Sequence, residues 1–448
     1  MTKLDYVIKR TGTRVKFNPD RITNAIYRAA VAVGGRDRSI AEQLTRQVLD
    51  VLEKSTPSGH EPSVEEIQDV VEKVLIENGH AKVAKAYILY REERARRRRE
   101  TAKLASQPSE NIPWSKIWKI LDWSVSHNLH SISAMNQRIG RGEFAQIVAD
   151  SEAAYQADLE NAVELIFEKS SQLRLVIITG PSSSGKTTTT TKIARRMAHT
   201  GYQLATLNVD NYFFDLDMHP KDEFGDYDFE TPQALDLELI NKHLLSLING
   251  EQVLLPSYDF KTGTRTLNVT PMRLQKNEII LIDSLHGLYS EMTAGIALEM
   301  QFRLYLEPLL QMKNHDGQYI RWTDLRLIRR MLRDAAHRAY DPRRTLEHWH
   351  YVRSSELRNI IPYINTTDYI INTAMPYEVA LYRPLMLSHF AQWVQDYAGN
   401  PLRRDAFERA ERVYKVLSNV VGISDDSPVP GDSVLREFIG GSVYESHP

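Results

Sequence analysis

Residues 173–191, LRLVIITGPSSSGKTTTTT, place a short apolar run, a glycine-containing loop and a helix-forming segment in immediate succession. The run from Leu175 to Ile178 has the length and the β-branched content of a buried strand. The loop from Gly180 to Thr187 matches G-x-x-x-x-G-K-[ST] at every fixed position, and the residues from Lys186 to His199 predict a helix. Because strand, loop and helix follow in the order that this motif requires, we interpret it as a P-loop rather than a chance glycine and serine turn.

A P-loop is an anion site, since its backbone N–H groups and the helix dipole face a bound phosphate. Lys186 would reach the β- and γ-phosphate oxygens of ATP, and the Thr187 hydroxyl would ligate Mg²⁺. We therefore expect ATP and Mg²⁺ as cofactors. The residues predicted to hold the nucleotide are Gly180, Ser182, Ser183, Ser184, Gly185, Lys186, Thr187 and Thr188.

The composition excludes several other classes of protein. At 448 residues the chain exceeds one hydrophobic core, so two or three domains are expected. The formal net charge is −2, which gives no general attraction to nucleic acid or to an anionic membrane. Cysteine is absent, which removes disulfides and thiolate chemistry. No secretion signal or membrane span is visible, and a cytoplasmic protein without nucleic-acid or membrane partners is predicted.

Two aspartates follow predicted strands after the P-loop. The run from Leu204 to Val209 ends at Asp210, and the run from Glu278 to Ile282 ends at Asp283. In parallel α/β sheets the carboxyl ends of the strands face the ligand crevice. A carboxylate there either accepts the proton of an attacking hydroxyl or holds Mg²⁺. Each aspartate alone could be an ordinary strand-end cap, but together with a P-loop they favour a functional site.

An arginine series lies farther along the chain. Arg326, Arg330 and Arg333 recur at helical spacing, with Arg329 beside them. Such a face is often merely solvated. After a P-loop it also suits a lid that closes over phosphates and neutralises their charge, and we favour Arg330 and Arg333 as its catalytic members.

The catalytic part resembles the uridine kinase/phosphoribulokinase superfamily, and is most similar to the long bacterial uridine kinase-like nucleoside kinases. The matching segments are DNYF (210–213), YDFETP (227–232), PSYDF (256–260) with Arg265, IDSLHGLY (282–289), TDLRLIRRMLRD (323–334), TLEHWHYVRSSE (345–356) and DSVLREFIGGS (432–442). The resemblance implies an α/β fold, a P-loop NTPase-type parallel sheet flanked by helices.

The same resemblance implies roles for individual residues. Asp210 would be the general base on a sugar hydroxyl and would lie close to the metal. Asp228 would hold the ribose hydroxyls, Tyr258 would orient the base, and Arg265 would belong to the substrate site. Asp283 would bind Mg²⁺ together with Thr187.

Departures from the family pattern leave the acceptor open. The usual Glu-Gly after the second strand is Asp283-Ser284, and the usual Arg-Gly of the lid is Arg338-Ala339. Uridine kinases carry a pyrimidine-recognising His where this chain has Gly263. His286, in the HGL turn, is interpreted as structural.

The first hundred residues resemble the ATP-cone, a regulatory module of ribonucleotide reductases and their repressor. The matching segments are VIKRTGTRVKF (7–17), RITNAI (21–26), VEEIQDVVEKVLIENGH (64–80) and VAKAYILYREERA (83–95). The resemblance implies an adenine-nucleotide effector bound by Lys9, Arg10 and Arg21, the last standing where Lys is usual. The alternative is a cone that has lost its ligand and serves oligomer contacts.

The remaining segments complete the predicted organisation. The residues from 114 to 170 are interpreted as mostly helical, with Trp114, Trp118 and Trp123 as core or packing residues. The basic run from 94 to 99 is interpreted as a solvated helix end that leads to a linker. An amphipathic helix from Arg403 to Leu417 suggests packing or oligomerisation. The predicted domains are 1–100 (mainly helical ATP-cone), 101–170 (helical connector), 171–375 (catalytic domain with lid) and 376–448 (helical extension).

The sequence therefore predicts an ATP-dependent nucleoside kinase that acts on a 5′-hydroxyl, regulated through the ATP-cone and assembled as a homo-oligomer. One alternative is a kinase of another small hydroxyl metabolite, similar to phosphoribulokinase or pantothenate kinase. Another is a nucleotide-sensing regulator without catalysis.

Overall fold

The computed structural model describes residues 4–8, 14–31, 33, 35, 37–55, 61–88, 111–219, 229–338, 341–400 and 403–444. The chain folds as two units. The described residues up to 88 belong to the N-terminal unit, and those from 111 onward belong to the larger unit. Within the described residues, no helix has both the length and the apolar character needed to cross a membrane.

The N-terminal unit is a short hairpin with helices. Its named elements are β1 (Tyr6–Ile8), β2 (Arg14–Lys16), α1 (Asp20–Val31), α2 (Arg38–Ser55) and α3 (Val64–Glu77). The strands are antiparallel, and residues 81–88 are also helical. A capping box starts α3, because Ser63 Oγ accepts from the Glu66 N–H while the Ser63 N–H donates to Glu66 Oε2 at 2.6 Å. The basic run at 94–99, interpreted as a helix end, lies outside the described residues.

The larger unit contains strands β3 (Leu175–Thr179), β4 (Gln203–Leu207), β5 (Val253–Asp259), β6 (Thr264–Met272), β7 (Glu278–Ser284), β8 (Gln301–Glu307) and β9 (Tyr369–Asn372). Its α-helices are α4 (Trp114–Ser126), α5 (Ile132–Gly140), α6 (Phe144–Lys169), α7 (Lys186–His199), α8 (Leu237–Ile248), α9 (Trp322–Arg338), α10 (Pro342–Asn359), α11 (Glu378–Tyr397), α12 (Arg404–Ser418) and α13 (Arg436–Ile439).

A five-stranded parallel sheet forms the centre of the larger unit, in the order β4-β7-β3-β8-β9. All five side chains of β3 are buried, which explains its continuous apolar sequence. Ile178 on β3 lies opposite Asp283 on β7. The register thus brings the strand-end aspartate level with the start of the P-loop, and the predicted α/β fold is confirmed.

The helices between residues 114 and 169 pack into the same hydrophobic core as the sheet. Ile147, Leu159 and Ile166 are buried in one cluster with Val176 and Leu304. The prediction for two tryptophans is wrong, since Trp114 and Trp118 are 60% and 68% exposed; Trp123 packs against the core. Trp123 lies about 180° around the helix from Trp114, so one packed face of α4 cannot cover both rings.

Candidate active site

The P-loop joins β3 to α7 and has the backbone of an anion cradle. Gly185 is the N-cap of α7 with φ of 87°, and Ser183 has φ of 60°. A positive φ at Gly185 is the conformation that glycine alone adopts without strain. The loop therefore turns its N–H groups inward. Lys186 folds back over it and donates to the Gly180 carbonyl at 3.0 Å.

Lys186 and Asp283 form the electrostatic centre of the site. Burial lowers the pKa of Lys186, and the charge of Asp283 opposes that shift. Burial raises the pKa of Asp283 to about 6, although Lys186 and a hydrogen bond from Thr190 favour its ionised form. Thr190 Oγ1 donates to Asp283 Oδ2 at 3.2 Å. Both charges are thus held in a place that disfavours charge, as expected where a charged ligand completes the site.

Asp210 lies beyond the end of β4, in the 3₁₀ turn Val209–Tyr212. The strand ends at Leu207 rather than at Val209 as predicted, because the Asn208 side chain accepts from the Asp210 N–H at 3.0 Å and starts the turn. The Asp210 side chain is exposed. Its charge contributes to the raised pKa of Asp283, so both carboxylates lie at one edge of the sheet.

Two arginines of α9 reach the P-loop region. Arg330 Nη1 donates to Ser182 Oγ at 3.3 Å and to Glu230 Oε1 at 3.2 Å. The charge of Arg333 contributes to the lowered pKa of Lys186. The two arginines favoured from the sequence therefore lie on the side of α9 that faces the phosphate cradle.

The other two arginines of the series are structural. Arg326 and Arg329 are fully buried. Arg326 donates through two nitrogens to Glu356 at 2.5 and 2.8 Å, and Arg329 donates to Glu378 at 2.8 and 3.0 Å. Arg326 does share the side of α9 that faces the P-loop, because its Nη1 also donates to the Ser182 carbonyl at 3.1 Å. The expectation that it serves as a lid residue is wrong, since its charge is neutralised by Glu356 inside the fold.

The residues predicted to bind the acceptor lie beside the β5–β6 hairpin. Tyr258 is 7% exposed, and its ring lies 5.5 Å from Phe213 and 5.0 Å from Phe260, between centroids. The buried Tyr258 hydroxyl has no hydrogen-bond partner among the described residues. Arg265 Nη1 pairs with Asp236 Oδ2 at 2.9 Å, so its charge is already compensated. Asp228 lies outside the described residues.

The glycine that replaces the pyrimidine-recognising histidine has a structural reason. Gly263 has φ of 68°, and a Cβ there would lie 2.7 Å from the Cβ of Leu216. Its N–H donates to the Asp259 carbonyl at 2.8 Å in the hairpin turn. A histidine at this position would be strained and would collide with Leu216, so base recognition through residue 263 does not fit this fold.

Thr190 and Glu437 lie at the site although the sequence gives no reason to single them out, and His286, which is predicted to be structural, lies there as well. Thr190 binds Asp283, and a run of five threonines gave no way to single it out. His286 is 4% exposed, and neither ring nitrogen has a hydrogen-bond partner among the described residues. Burial, followed by the charge of Lys186, lowers the pKa of His286 to about 3, so the imidazole is neutral. Glu437, which is 249 positions beyond Thr188, bonds to that residue.

Comparison with known proteins agrees with this geometry. Residues 175–380 match the phosphoribulokinase/uridine kinase family. A uridine kinase of Chloroflexus aggregans is 31% identical over 176 residues, which cover 39% of this chain and 74% of the relative. The chain belongs to the phosphoribulokinase/uridine kinase family. A uridine kinase of Deinococcus deserti is 28% identical over 195 residues, which cover 43% of this chain and 84% of the relative.

The N-terminal unit has a separate relationship. Residues 5–96 match the ATP cone domain. The vitamin B12-dependent ribonucleoside-diphosphate reductase of Thermoplasma acidophilum is 46% identical over 99 residues, 21% of this chain and 12% of the reductase. The protein thus joins an ATP-cone to a kinase domain of the uridine kinase family. Of the predicted effector residues, Arg21 lies in α1, whereas Lys9 and Arg10 lie outside the described residues.

The oxygen groups of the site fit the Mg²⁺ that kinases of this family use. Burial raises the pKa of Asp283 more than its neighbours lower it, and the charge of Asp210 contributes to that rise. The Thr187 side chain is exposed at the start of α7. No group of three or more His, Asp or Glu residues suited to a metal occurs in the described part of the chain. Mg²⁺ in kinases needs only one or two carboxylates, because substrate phosphates supply further oxygens.

Proposed function

We propose that this protein is an ATP-dependent nucleoside kinase of the uridine kinase type, which transfers the γ-phosphoryl group of ATP to a nucleoside 5′-hydroxyl. The observation that carries the proposal is the convergence on one P-loop of a half-buried strand-end carboxylate, an exposed carboxylate and an arginine. Asp283 is coupled to both Lys186 and Asp210, and Arg330 contacts Ser182 in the loop. A protein that only sensed nucleotide would not need the exposed carboxylate.

Each residue has a role that follows from its position. Asp210 accepts the proton of the attacking hydroxyl, since it is the exposed carboxylate at the edge of the sheet. Lys186, Arg330 and Arg333 stabilise the negative charge on the transferred phosphoryl group. Thr187, Asp283 and Asp210 are the residues that would hold Mg²⁺, whose bound form neutralises phosphate charge.

Asp228, Tyr258 and Arg265 are the residues proposed to bind the acceptor. For Tyr258 the proposal is supported by its buried hydroxyl, which has no partner among the described residues, because such a donor is costly unless a ligand satisfies it. The conformation of Gly263 favours a second candidate, a kinase of another small hydroxyl metabolite, since base recognition at that position is ruled out. The two candidates share every step except the identity of the acceptor.

The N-terminal unit is proposed to regulate the kinase through an adenine nucleotide bound by Lys9, Arg10 and Arg21. The proposed division is an ATP-cone at 1–100, a helical connector at 101–170, the catalytic domain at 171–375 and a helical extension at 376–448. A cytoplasmic homo-oligomer, with nucleoside and adenine nucleotide as its small-molecule partners, completes the proposal. The ATP cone match supports the regulatory role of the N-terminal unit, and the family match supports the catalytic domain.

A coupled ADP-release assay tests the proposal. Full-length protein with Mg·ATP is offered a panel of nucleosides, with sugar phosphates and pantothenate in parallel. Stimulation by a nucleoside identifies the acceptor, and stimulation only by the other compounds selects the second candidate. ATP binding without stimulation by any acceptor would indicate a regulator.

Two variants make the assay specific for the proposed base. Asp210→Asn is expected to lower turnover by about 10²- to 10⁴-fold while ATP binding stays nearly intact. Asp217→Asn, at an exposed aspartate in the following loop, is the matched control and should retain wild-type turnover. Survival of turnover in Asp210→Asn would contradict the assignment of the base.

A further inference from the structure

Residues 432–439, the C-terminal segment, pack against the P-loop and the helix that follows it. Ser433, Val434, Leu435 and Phe438 are at most 2% exposed. A Cβ placed on Gly185 would lie 2.4 Å from Val434 Cγ2, so the segment touches the loop itself. The C-terminal segment therefore forms one wall of the nucleotide site.

Ion pairs and aromatic contacts fix the C-terminal segment in place. Asp432 Oδ2 lies 2.9 Å from Nζ of Lys192, a lysine of α7 that is 1% exposed. Phe438 lies beneath the guanidinium of Arg329, with 5.0 Å from the guanidinium carbon to the ring centroid. These contacts, at Asp432 and Phe438, hold the backbone on both sides of Glu437, while its side chain keeps the freedom to rotate.

Glu437 presents its carboxylate to the first turn of α7. Glu437 Oε2 accepts from the Thr188 hydroxyl at 3.0 Å and from the Thr188 N–H at 3.3 Å. The charge of Glu437 also opposes the lowering of the Lys186 pKa and contributes to the raised pKa of Asp283. A fixed negative charge thus lies within the electrostatic range of both residues at the centre of the site.

The donors that Glu437 occupies belong to the phosphate cradle. In a P-loop the backbone N–H groups at the start of the helix bind the α- and β-phosphates. A carboxylate and a phosphate oxygen cannot accept from the same N–H at hydrogen-bond distance without strong repulsion between the two anions. Binding of a nucleotide phosphate at Thr188 therefore requires Glu437 to move away.

We propose that Glu437 gates the nucleotide site by occupying the Thr188 donors that a nucleotide phosphate needs. The inference rests on the proposed function, in that the P-loop binds ATP. It assigns to the C-terminal segment a control of nucleotide affinity that is separate from any effector at the ATP-cone. The ligand that competes with Glu437 is the phosphate part of an adenine nucleotide.

Titration calorimetry on the full-length protein tests the gate. Wild type and Glu437→Gln are each titrated with Mg·ADP, AMP and adenosine. The same titrations are repeated with Lys186→Ala and with the double variant that carries both substitutions. Binding that is lost in Lys186→Ala takes place at the P-loop, and binding that remains includes any nucleotide held by the ATP-cone. The difference between the two backgrounds is called Lys186-dependent binding. Gln keeps the size and an acceptor oxygen but removes the charge. Glu168→Gln, at an exposed glutamate of α6, is the matched control.

The gate predicts that Glu437→Gln raises Lys186-dependent affinity for Mg·ADP and AMP by about three- to tenfold. Affinity for adenosine, which has no phosphate, should not change. Glu437→Asp, which keeps the charge but withdraws the carboxylate from Thr188, should give an intermediate gain. Thermal unfolding of each variant without nucleotide reports whether the helix start has lost a structural cap.

Unchanged or weaker Lys186-dependent affinity for Mg·ADP in Glu437→Gln would overturn the gate and leave Glu437 as a cap of α7. An equal gain for adenosine would also overturn it, because phosphate competition would not be the cause. Absence of Lys186-dependent binding in both proteins would overturn the proposed function, and the gate with it.

Discussion

On α9, Arg326 and Arg329 are fully buried and each is paired with a glutamate, whereas at the P-loop Lys186 and Asp283 are half-buried and their charges are less well compensated. Burial lowers the pKa of Arg329, but Glu378 outweighs it and the pKa is raised overall. At the P-loop the balance is reversed: burial prevails, raising the pKa of Asp283 and lowering that of Lys186. The same unit thus buries charge in two ways, one that completes the fold and one that leaves room for a charged ligand.

Removing the buried charge of Arg329 from α9 should have the largest effect on stability. Arg329→Met leaves Glu378 buried without its partner and is expected to lower the free energy of unfolding by about 3–5 kcal/mol. Urea unfolding measures the loss. Adding Glu378→Gln should recover part of it by removing the uncompensated carboxylate. An Arg329→Met protein as stable as wild type would show that this ion pair does not hold the fold.

Removing a charge from the same helix, but on the side of the P-loop, should affect the reaction instead. Arg330→Ala is expected to lower kcat by about 10²- to 10³-fold, because it removes positive charge from the transferring phosphoryl group. The unfolding free energy should fall by only about 1–2 kcal/mol. Steady-state kinetics with the acceptor found above measures the first effect. Arg321→Ala, an exposed arginine just before α9, is the control that should leave kcat unchanged.

The pH dependence of the unfolding free energy tests, at Asp283, how strongly burial disfavours charge at the P-loop. Its folded pKa of about 6 lies above its ordinary value of 3.8, so between these values the folded protein keeps a proton that the unfolded chain has released. Its contribution to stability consequently falls as the pH rises through that window. Asp283→Asn should therefore stabilise the metal-free protein at pH 8 by about 1–3 kcal/mol, and by less at pH 5.

Urea unfolding in the presence of a chelator, at both pH values, measures this difference. Asp217→Asn, the same substitution at an exposed aspartate, serves as the control. A loss of stability in Asp283→Asn at pH 8 would mean that the pair with Lys186 outweighs burial, which would remove the contrast between the two regions.

The smallest expected effect concerns His286. Its two ring nitrogens have no partner among the described residues, so His286→Leu should change the unfolding free energy by less than about 1 kcal/mol. With a pKa near 3 the ring does not titrate above pH 5, and the variant should leave the pH dependence of turnover unaltered in shape. If the acid limb of the pH–turnover profile disappeared in His286→Leu, the conclusion that the imidazole is neutral would be wrong.

The local parts of this structure could be predicted from the sequence, and the long-range parts could not. The P-loop, the strand before it and the α3 capping box are each encoded within a few residues, by a fixed motif or by reciprocal side-chain bonds. The difference between Arg326 and Arg330 could not be foreseen from spacing. Both arginines contact Ser182, which lies 144 and 148 positions before them. They differ because Arg326 is also paired with the buried Glu356, 30 positions farther along the chain.

The same limit applies to the candidate site. Asp283 was identified because a strand end is a local signal, and the register that brings it level with β3 agrees with that reasoning. Tyr258 and Arg265 were placed by family resemblance, and only the folded structure reveals that Arg265 is paired with Asp236. Glu437 carried no signal of its own, since an isolated glutamate in a short helix has no motif and its partner lies 249 positions away.

The 249 positions that separate Thr188 from Glu437 affect the order in which the site is completed during synthesis. During synthesis the P-loop leaves the ribosome long before residues 432–439 are translated, at rates near 5–20 residues per second. Until then Lys192 lacks Asp432, and the start of α7 lacks the carboxylate of Glu437. Because β3 pairs with β7 and β8, which both precede the C-terminal segment in the chain, the P-loop can gain its strand partners before Glu437 is made. A nucleotide that binds in that interval meets no competing carboxylate at Thr188.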